Sequence, residues 1–208
     1  MLDNEQVALL IGAMYRRSFL DGLITELTFA SGARQGEVFG LAWSDVDLPT
    51  GRGLFVQGLQ RLNGKILWTP LKTSESRRAF SIYPHLVKRL EEWRRQQDPK
   101  SYTVLSPRGA LVLAQPEGKP LHPHNWARRV LKPMLVELGL PASSRFHDIR
   151  HTARTHAGRS GAPAAALRDR FGWASEKMSR QYDHALPGDQ DLIARKLQEI
   201  VYGGKGSA

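Results

Sequence analysis

Apolar residues recur at helical spacing in two stretches near the start of the chain. Positions i, i+3, i+4 and i+7 lie on one face of an α-helix, and they are occupied here by Val7, Leu10, Ile11 and Met14, then by Leu20, Leu23, Ile24 and Leu27. Asp3, with Gln6 three residues later, resembles a capping box and predicts the start of the first helix. Gly32 can terminate the second. A third, short helix is predicted from about Arg34 to about Trp43.

The pattern changes between Gly51 and Ile82, where short β-prone runs replace helical spacing. The runs are residues 54–56, 65–68 and 78–82. Asn63-Gly64, between the first two runs, is a strong signal for a hairpin turn. These runs predict a small three-stranded antiparallel sheet, with Lys72 at the start of the loop that joins its second and third strands.

Helical patterns return after the strands. Pro84 suits a first-turn position, and a helix that opens at Trp126 should kink or restart at Pro133. Short helices are predicted over about 146–159, 163–171 and 175–184, before a last helix at about 189–202. Its apolar stripe can pack in the core or dock on a neighbouring subunit; the stripe consists of Ile193, Leu197, Ile200 and Val201.

The predicted fold class is therefore α+β, mainly α-helical with a small three-stranded antiparallel sheet. A length of 208 residues suits one domain, which we place at residues 1–202. The glycine-rich tail at 203–208 is expected to be disordered.

The chain is strongly basic. It has 30 Lys and Arg residues against 20 Asp and Glu, a net charge of +10, and an isoelectric point near 10.2. This balance favours a polyanionic partner, because cations that neutralise phosphates release condensed counterions; a merely basic soluble protein is the plainer alternative. The sequence has no Cys, which excludes disulfides and Cys-ligated zinc. It shows no long apolar run and no signal peptide, so we expect no membrane and a nucleic acid partner in the cytoplasm.

Four basic side chains share one face of the predicted helix near residue 147. His147, Arg150, His151 and Arg154 fall at i, i+3, i+4 and i+7. A solvated cationic face is the plainest interpretation. The two histidines are also spaced like zinc ligands, but the Glu of metalloprotease helices is absent and an Arg would stand beside the metal, so we expect no metal. A phosphate site uses the whole set, since guanidinium groups bind phosphate oxygens bidentately.

Arg34 and Arg150, from separate predicted helices, can hold the two non-bridging oxygens of a phosphodiester. Negative charge grows on these oxygens in a pentavalent transition state, where fixed cations stabilise it. Glu37 lies one turn from Arg34 and can orient it, or it is a plain surface carboxylate. Taken alone, each Arg is more simply a surface or DNA-contact residue.

Tyr182 is the candidate nucleophile. A phenol has an ordinary pKa of about 10, but nearby Arg side chains favour the phenolate and His147 can accept its proton. Lys72 can protonate a leaving 5′ oxygen, and Trp173 can donate its indole N–H to a non-bridging oxygen. Singly, the Tyr and Trp are more simply packing residues and the Lys a surface cation.

Five motifs, in order and in spacing, resemble the catalytic domain of the tyrosine recombinases, the phage integrase family. They are Gly32-Ala33-Arg34-Gln35-Gly36-Glu37, Lys72-Thr73 with Ser76-Arg77-Arg78, His147-Asp148-Ile149-Arg150-His151-Thr152, Phe171-Gly172-Trp173, and Tyr182-Asp183-His184. The resemblance runs from about residue 3 to about residue 185. Most members have Leu-Gly-His where this chain has Phe171-Gly172-Trp173, and some members carry Trp.

The resemblance implies the catalytic-domain fold of DNA breaking-rejoining enzymes and a role for each motif residue. Catalytic roles fall on Tyr182, Arg34, Lys72, His147, Arg150 and Trp173. Supporting roles fall on Glu37, His151 and His184, and DNA contacts on Arg77, Arg78 and Arg154. Tyr182 would form a 3′-phosphotyrosyl link that conserves the bond energy, so the reaction would need no metal, ATP or other cofactor.

The family also implies partners. Its members act as four subunits on two duplexes, so we expect double-stranded attachment- or recombination-site DNA and a homo-tetramer on it, with a monomer possible in isolation. The expected location is the cytoplasm of a prokaryotic or phage-infected cell. We expect the N-terminal core-binding and arm-binding domains of full-length relatives to be absent, which would make the chain a fragment, a truncated protein or a solo domain. Residues 189–202 are the candidate contact with a neighbouring subunit.

The expected function is site-specific DNA recombination of the integrase type. DNA relaxation like that of type IB topoisomerases uses the same residues without strand exchange and is the first alternative. The second is a non-catalytic binding module whose helices at 146–184 act like a helix-turn-helix. The full set of chemical groups favours an enzyme, because plain binding needs no positioned phenol.

Overall fold

The computed structural model describes residues 2–71, 77–97, 105–159, 161–171 and 187–203, and it is mainly helical. The helices are α1 Asn4–Arg17, α2 Phe19–Ser31, α3 Gln35–Phe39, α4 Pro84–Gln96, α5 Pro123–Trp126, α6 Lys132–Glu137, α7 Phe146–Gly158, α8 Ala164–Phe171 and α9 Pro187–Tyr202. The strands are β1 Val46–Asp47, β2 Arg52–Phe55, β3 Gln57–Leu62, β4 Lys65–Pro70 and β5 Arg78–Ser81.

Both predicted boundaries in the first two helices are confirmed. The Gln6 backbone N–H donates to Asp3 Oδ1 at 2.9 Å, and the Asp3 backbone N–H donates to Gln6 Oε1 at 3.0 Å, which completes the capping box of α1. Gly32 ends α2 in the left-handed conformation, with φ of 56°. The third helix is shorter than predicted, because α3 ends at Phe39 and only a 3-10 turn follows at Trp43–Asp45.

The strand pairing predicted around the hairpin turn is wrong in one respect. Asn63 and Gly64 do form the turn, with φ values of 49° and 77°. A two-residue turn makes Leu62 and Lys65 partners, so the strand that pairs with β4 is Gln57–Leu62 and not residues 54–56. Leu54 and Phe55 belong instead to β2, which pairs with β1 and β5 in a separate three-stranded antiparallel sheet.

The helix predicted to kink or restart at Pro133 restarts there, after a π-helical turn. Residues Ala127–Leu131 are π-helical and join α5 to α6, where Pro133 occupies the first turn. Pro has no backbone N–H, so a regular α-helix through this position would lose one hydrogen bond. The wider turn places Pro133 where no donor is required.

Helix α2 lies at the centre of the core. Every residue from Asp21 to Ser31 is buried, with α1, α4, α7 and α9 packed around the helix. Ile193 and Leu197 of α9 are fully buried in this chain, so the core interpretation of the α9 stripe is confirmed for them. The predicted helix at 175–184 lies outside the described residues. None of the described helices is both long and apolar enough to cross a membrane.

A buried carboxylate ties the last helix to the rest of the core. Glu26 accepts hydrogen bonds from the hydroxyls of Tyr15 at 2.6 Å, Tyr83 at 2.8 Å, and Tyr202, and from Arg89 Nη1 at 3.1 Å. The Arg89 guanidinium also lies 3.7 Å from the centre of the Tyr15 ring. Three phenols and one cation thus satisfy a fully buried charge and join α1, α4 and α9 to α2.

We expect these phenols to make the fold sensitive to alkali. Burial, and next the negative charge of Glu26, raise the pKa of Tyr15, Tyr83 and Tyr202. A folded pKa above the unfolded value of about 10 contributes stability that is present below that pH and lost as the pH rises beyond it. Tyrosinate absorbance should show these three phenols ionising only when the chain unfolds, whereas the chain in guanidinium should titrate normally.

Replacement of Tyr202 by Phe tests the same cluster. It removes a hydrogen bond to a charged acceptor and should lower the free energy of unfolding by about 1.5–3 kcal/mol. Urea unfolding at several pH values would measure this loss and show a smaller alkaline decline than in the wild type. An unchanged alkaline decline in the variant would contradict the role assigned to Tyr202.

Candidate active site

Close backbone packing brings the first arginine motif into place. A Cβ atom on Gly36 would lie 2.9 Å from the carbonyl oxygen of Leu59, and one on Gly40 would lie 2.9 Å from the Leu59 nitrogen. Larger residues would therefore push α3 away from β3. With glycine at both positions α3 packs on the strand backbone, which fixes Arg34 at the N-cap of this helix.

Glu37 orients Arg34 from the first turn of α3. The Arg34 backbone N–H donates to Glu37 Oε2 at 2.7 Å, and Arg34 Nη1 donates to Glu37 Oε1 at 3.0 Å. The Glu37 side chain is only 3% exposed, whereas that of Arg34 is 54% exposed. The carboxylate thus orients Arg34 through its backbone N–H and one guanidinium nitrogen, and the rest of the guanidinium group stays exposed to a ligand.

Arg78 is the second partner of Glu37, and its position corrects the sequence-based assignment. Arg78 Nη1 donates to Glu37 Oε1 at 3.0 Å, its Nη2 bonds Oε2, and its Nε donates to the Arg170 carbonyl at 2.9 Å. Its Nη1, Nη2 and Nε are thus all bonded to other residues and the side chain is 3% exposed, so the structure does not support the DNA contact that we predicted. Burial alone would raise the Glu37 pKa, but the hydrogen bonds and charge of Arg78, with those of Arg34, lower it.

Arg150 lies beneath the surface that the helical pattern predicted for it. It is 2% exposed, with Nη1 donating to the Gly32 carbonyl and Nη2 to the Phe171 carbonyl, both at 2.6 Å. Its Nε finds no hydrogen-bond partner within the described residues. Burial, and then the charges of Arg78 and Arg34, lower the Arg150 pKa to about 10, which places these three guanidinium groups in one electrostatic cluster.

Gly32 and Phe171 form the support on which Arg150 rests. Gly32 has a positive φ, and a Cβ atom there would lie 2.1 Å from the Phe171 ring. Both constraints require glycine, since a side chain would be strained by the backbone and blocked by the ring. The end of α2 and the end of α8 thus meet at Arg150 and accept its two hydrogen bonds.

His147 and His151 are exposed on the same helix, with ring centres 4.5 Å apart at 85°. Burial, then the charges of His151 and Arg150, lower the pKa of His147. At neutral pH its imidazole is therefore uncharged and able to accept a proton. The described residues bring no third metal-ligating side chain to this pair.

The other predicted DNA contacts differ in position. Arg154, half-buried on α7, has a pKa lowered by burial and by the charge of Arg34, so it belongs to the arginine cluster. Arg77 is exposed, and its Nε donates to the Leu71 carbonyl at 3.1 Å. Both remain candidates for DNA binding.

Four predicted site residues lie outside the described residues: Lys72, Trp173, Tyr182 and His184. Two described neighbours of these residues lie beside the site. Leu71, which follows β4, lines the same cavity as Arg34. Phe171, directly before the segment that carries Tyr182, accepts the Arg150 hydrogen bond.

Arg170, which the sequence pattern did not single out, is fully buried behind this site. Its Nη2 donates to the Ser81 carbonyl at 3.0 Å and to the Ala30 carbonyl, and its Nη1 donates to Gln190 at 3.1 Å. Burial lowers its pKa to about 9. Nothing in the local pattern distinguishes this arginine from a surface one, because its partners come from α2, β5 and α9.

The model of the phage integrase family matches residues 1–188. The chain belongs to the phage integrase family. The ICEBs1 integrase of Bacillus subtilis (strain 168) is 27% identical over 178 residues, 84% of this chain and 48% of that protein. The tyrosine recombinase XerC-like protein of Caldanaerobacter subterraneus subsp. tengcongensis is 28% identical over 191 residues, again 84% and 48%. This phage-integrase chain thus spans about half the length of both curated relatives.

Solved structures of tyrosine recombinases share the fold of this integrase-family chain. The Tn1549 transposon integrase in complex with a circular intermediate DNA matches it with a TM-score of 0.74 at 16% identity, over 94% of this chain and 65% of that one. At such an identity the similarity concerns the fold alone. The predicted fold class, helix-rich with a small antiparallel sheet, is confirmed.

We expect replacement of Glu37 by Gln to destabilise this integrase-family chain by about 3–5 kcal/mol, because it leaves the buried cation of Arg78 without its counter-charge. Urea unfolding would measure the loss. The lowered Glu37 pKa contributes stability that is present above the ordinary Glu value of about 4.3 and lost as the pH falls through the folded value. The difference between wild type and variant should therefore shrink in acid.

Asp148→Asn is the matched control. Asp148 occupies the same position in the first turn of α7 and accepts the Arg145 backbone N–H at 2.7 Å, but its side-chain partner is 75% exposed. Its loss should lower the free energy of unfolding by about 1 kcal/mol or less. Equal effects of the two substitutions would contradict the special role of the buried pair.

Proposed function

We propose that this chain is the catalytic domain of a site-specific DNA recombinase of the integrase type, acting through a 3′-phosphotyrosyl intermediate. One observation carries the proposal: Arg34 and Arg150, from different helices, are fixed by Glu37 and by backbone carbonyls in a cluster beside a neutral His147. Two oriented guanidinium groups match the two non-bridging oxygens of a phosphodiester. The net charge of +10 suits DNA as the partner.

In the proposed reaction the Tyr182 oxygen attacks the phosphorus of one strand. A bond forms between that oxygen and phosphorus, and the bond from phosphorus to the 5′ oxygen breaks. His147 takes the phenol proton and Lys72 protonates the leaving 5′ oxygen. Trp173 donates its N–H to a non-bridging oxygen, beside the two arginines. A 5′-hydroxyl from a partner duplex then reverses these steps and joins the strands.

The arginine cluster supplies the stabilisation that this reaction requires. Negative charge grows on the non-bridging oxygens in the transition state, and cations fixed beforehand need no reorganisation to meet it. Hydrogen bonds from Arg150 to the carbonyls of Gly32 and Phe171 fix its guanidinium group in the absence of DNA. The phosphotyrosyl link conserves the energy of the broken bond, so the scheme uses neither ATP nor a metal ion.

Strand exchange sets the expected assembly and domains. Two duplexes contain four strands to be cut, and each cut uses one Tyr182, so we assign four copies to the complex on recombination-site DNA in the cytoplasm. The catalytic domain spans residues 1–202 in this proposal, followed by a tail at 203–208. Residues of α9 that point away from the core are the candidate contact with a neighbouring copy.

The proposed reaction predicts a covalent adduct between the chain and DNA that depends on Tyr182. Nicked suicide duplexes of candidate attachment-site DNA, incubated in EDTA, should trap a complex that resists denaturant. Tyr182→Phe should bind the same DNA but give no adduct, because it lacks the nucleophilic oxygen. DNA binding by both proteins without any adduct would support a helix-turn-helix-like binding module. On a supercoiled plasmid that carries the same site, relaxed circles without rejoined partners would support topoisomerase-like relaxation.

The proposed reaction also predicts that cleavage depends on Arg150. Arg150→Ala should lower the cleavage rate by about 10²–10³-fold or more, since one pre-organised donor to a developing oxyanion has an effect of this size. Single-turnover adduct formation would measure it. Arg145→Ala, on an exposed arginine just before the same helix, should cleave normally. Because Arg150 is buried, Arg150→Lys and a thermal melt of each variant are needed to separate misfolding from lost chemistry. A folded Arg150→Ala protein with normal cleavage would overturn the clamp role.

A further inference from the structure

A second basic surface lies beside the arginine cluster. A cavity of about 450 Å³ opens between α3, the β3–β4 hairpin and the start of α5. The basic or imidazole side chains that line it are Arg34, Arg61, His122 and His124. Arg150 and His147 do not line it, so the cavity extends the site on the hairpin side of Arg34.

The fold fixes the two histidines next to Arg34. Gln35 on α3 donates its Nε2 to the Pro123 carbonyl at 3.2 Å, which joins the start of α5 to the arginine motif. His122 Nδ1 accepts the Asn125 backbone N–H at 3.4 Å as the cap of α5. In a neutral imidazole that accepts at Nδ1, the proton sits on Nε2, which is then a donor available to a ligand.

The charge of the cavity is not balanced within the described residues. Burial, then the charges of Arg61 and His124, lower the pKa of His122, so these groups lie close enough to repel one another. Among the residues that line the cavity, Glu37 is the only carboxylate, and both of its oxygens already accept arginine hydrogen bonds. No described acidic side chain pairs with Arg61. An anion would relieve the repulsion and use the free donors.

We propose that this cavity, the hairpin cleft of Arg61, His122 and His124, binds a DNA backbone phosphate adjacent to the one held by Arg34 and Arg150. The inference rests on the proposed function, because it takes Arg34 as the link between two consecutive phosphates. Gln60 and Thr69, which also line the cleft, add polar groups able to donate to phosphate or sugar oxygens. The contact positions the strand and carries no sequence preference.

The first test needs no knowledge of the target sequence. Fluorescence anisotropy with a labelled random-sequence duplex gives the dependence of log K on log salt concentration. Arg61→Gln should reduce the slope by about 0.9, the effect of one lost phosphate contact. Arg95→Gln, an exposed arginine in the last turn of α4 and outside the cleft, should keep the wild-type slope. Equal slopes for the two variants would overturn the proposal, as would no binding by the wild type at low salt.

The second test locates the phosphate. Single methylphosphonate substitutions are placed along a suicide duplex that the wild type cleaves, and DNA affinity is measured for each. The wild type should bind more weakly when the phosphate next to the cleaved one is replaced. The double variant Arg61→Gln, His122→Gln should show no further loss of affinity from that replacement, and only from that one. Both proteins should remain sensitive at the cleaved phosphate.

The outcomes separate the two proposals. If the wild type forms the covalent adduct but the double variant shows the wild-type methylphosphonate profile, the cleft assignment is wrong and the recombinase assignment stands. If no adduct forms, the recombinase assignment fails and the salt slope decides the cleft alone: a reduced slope for Arg61→Gln supports a phosphate site, and equality with Arg95→Gln overturns it.

Discussion

The buried Glu37 carboxylate is the interaction on which the site depends. It accepts hydrogen bonds from Arg34 at the end of one loop and from Arg78 on β5, and so joins the helical part of the chain to the three-stranded sheet. Arg78 extends the link to the Arg170 carbonyl at the end of α8. A charge pair that is almost wholly buried tolerates little movement, because a misplaced partner would leave an unpaired ion out of water. The positions of Arg34, Arg150 and α8 are therefore set together.

Two of the buried carboxylates, Glu26 and Glu37, are satisfied in different ways, and the difference separates scaffold from site. Glu26 is surrounded mainly by neutral phenols, with one cation, so its cluster is close to neutral. Glu37 faces two cations directly and lies near Arg150. One negative charge cannot balance this set. Burial is the main cause of the lowered Arg150 pKa, and the charges of Arg78 and Arg34 lower it further. Such local imbalance is unfavourable in a free protein and is expected where a charged ligand completes the structure.

Local chemistry decided which features could be predicted from the sequence. The Asp3 capping box and the Asn63-Gly64 turn need only neighbouring residues, and both are confirmed. Strand β3 was missed because Gln57, Gly58 and Gln60 are poor strand formers, and the hairpin register imposes the pairing. The burial of Arg78 and Arg170 was missed for another reason. Their partners lie far away in sequence, as with Arg78 and Glu37, which are 41 residues apart. The residues next to an Arg in the sequence do not reveal whether its side chain is buried against a distant carboxylate or exposed to water.

The same electric field acts on the acid and on the base of the proposed reaction. Burial, and then the charges of His151 and Arg150, lower the pKa of His147, which keeps the imidazole free to accept a proton. The same positive charges would also favour the phenolate form of a tyrosine brought beside them. A DNA phosphate between Arg34 and Arg150 would neutralise part of this field. Neutralisation raises the pKa of His147 and makes it a better proton acceptor at the moment when substrate is present. The arginines would thus hold the phosphate and also couple its arrival to the proton transfer, so that the base strengthens only on the loaded site.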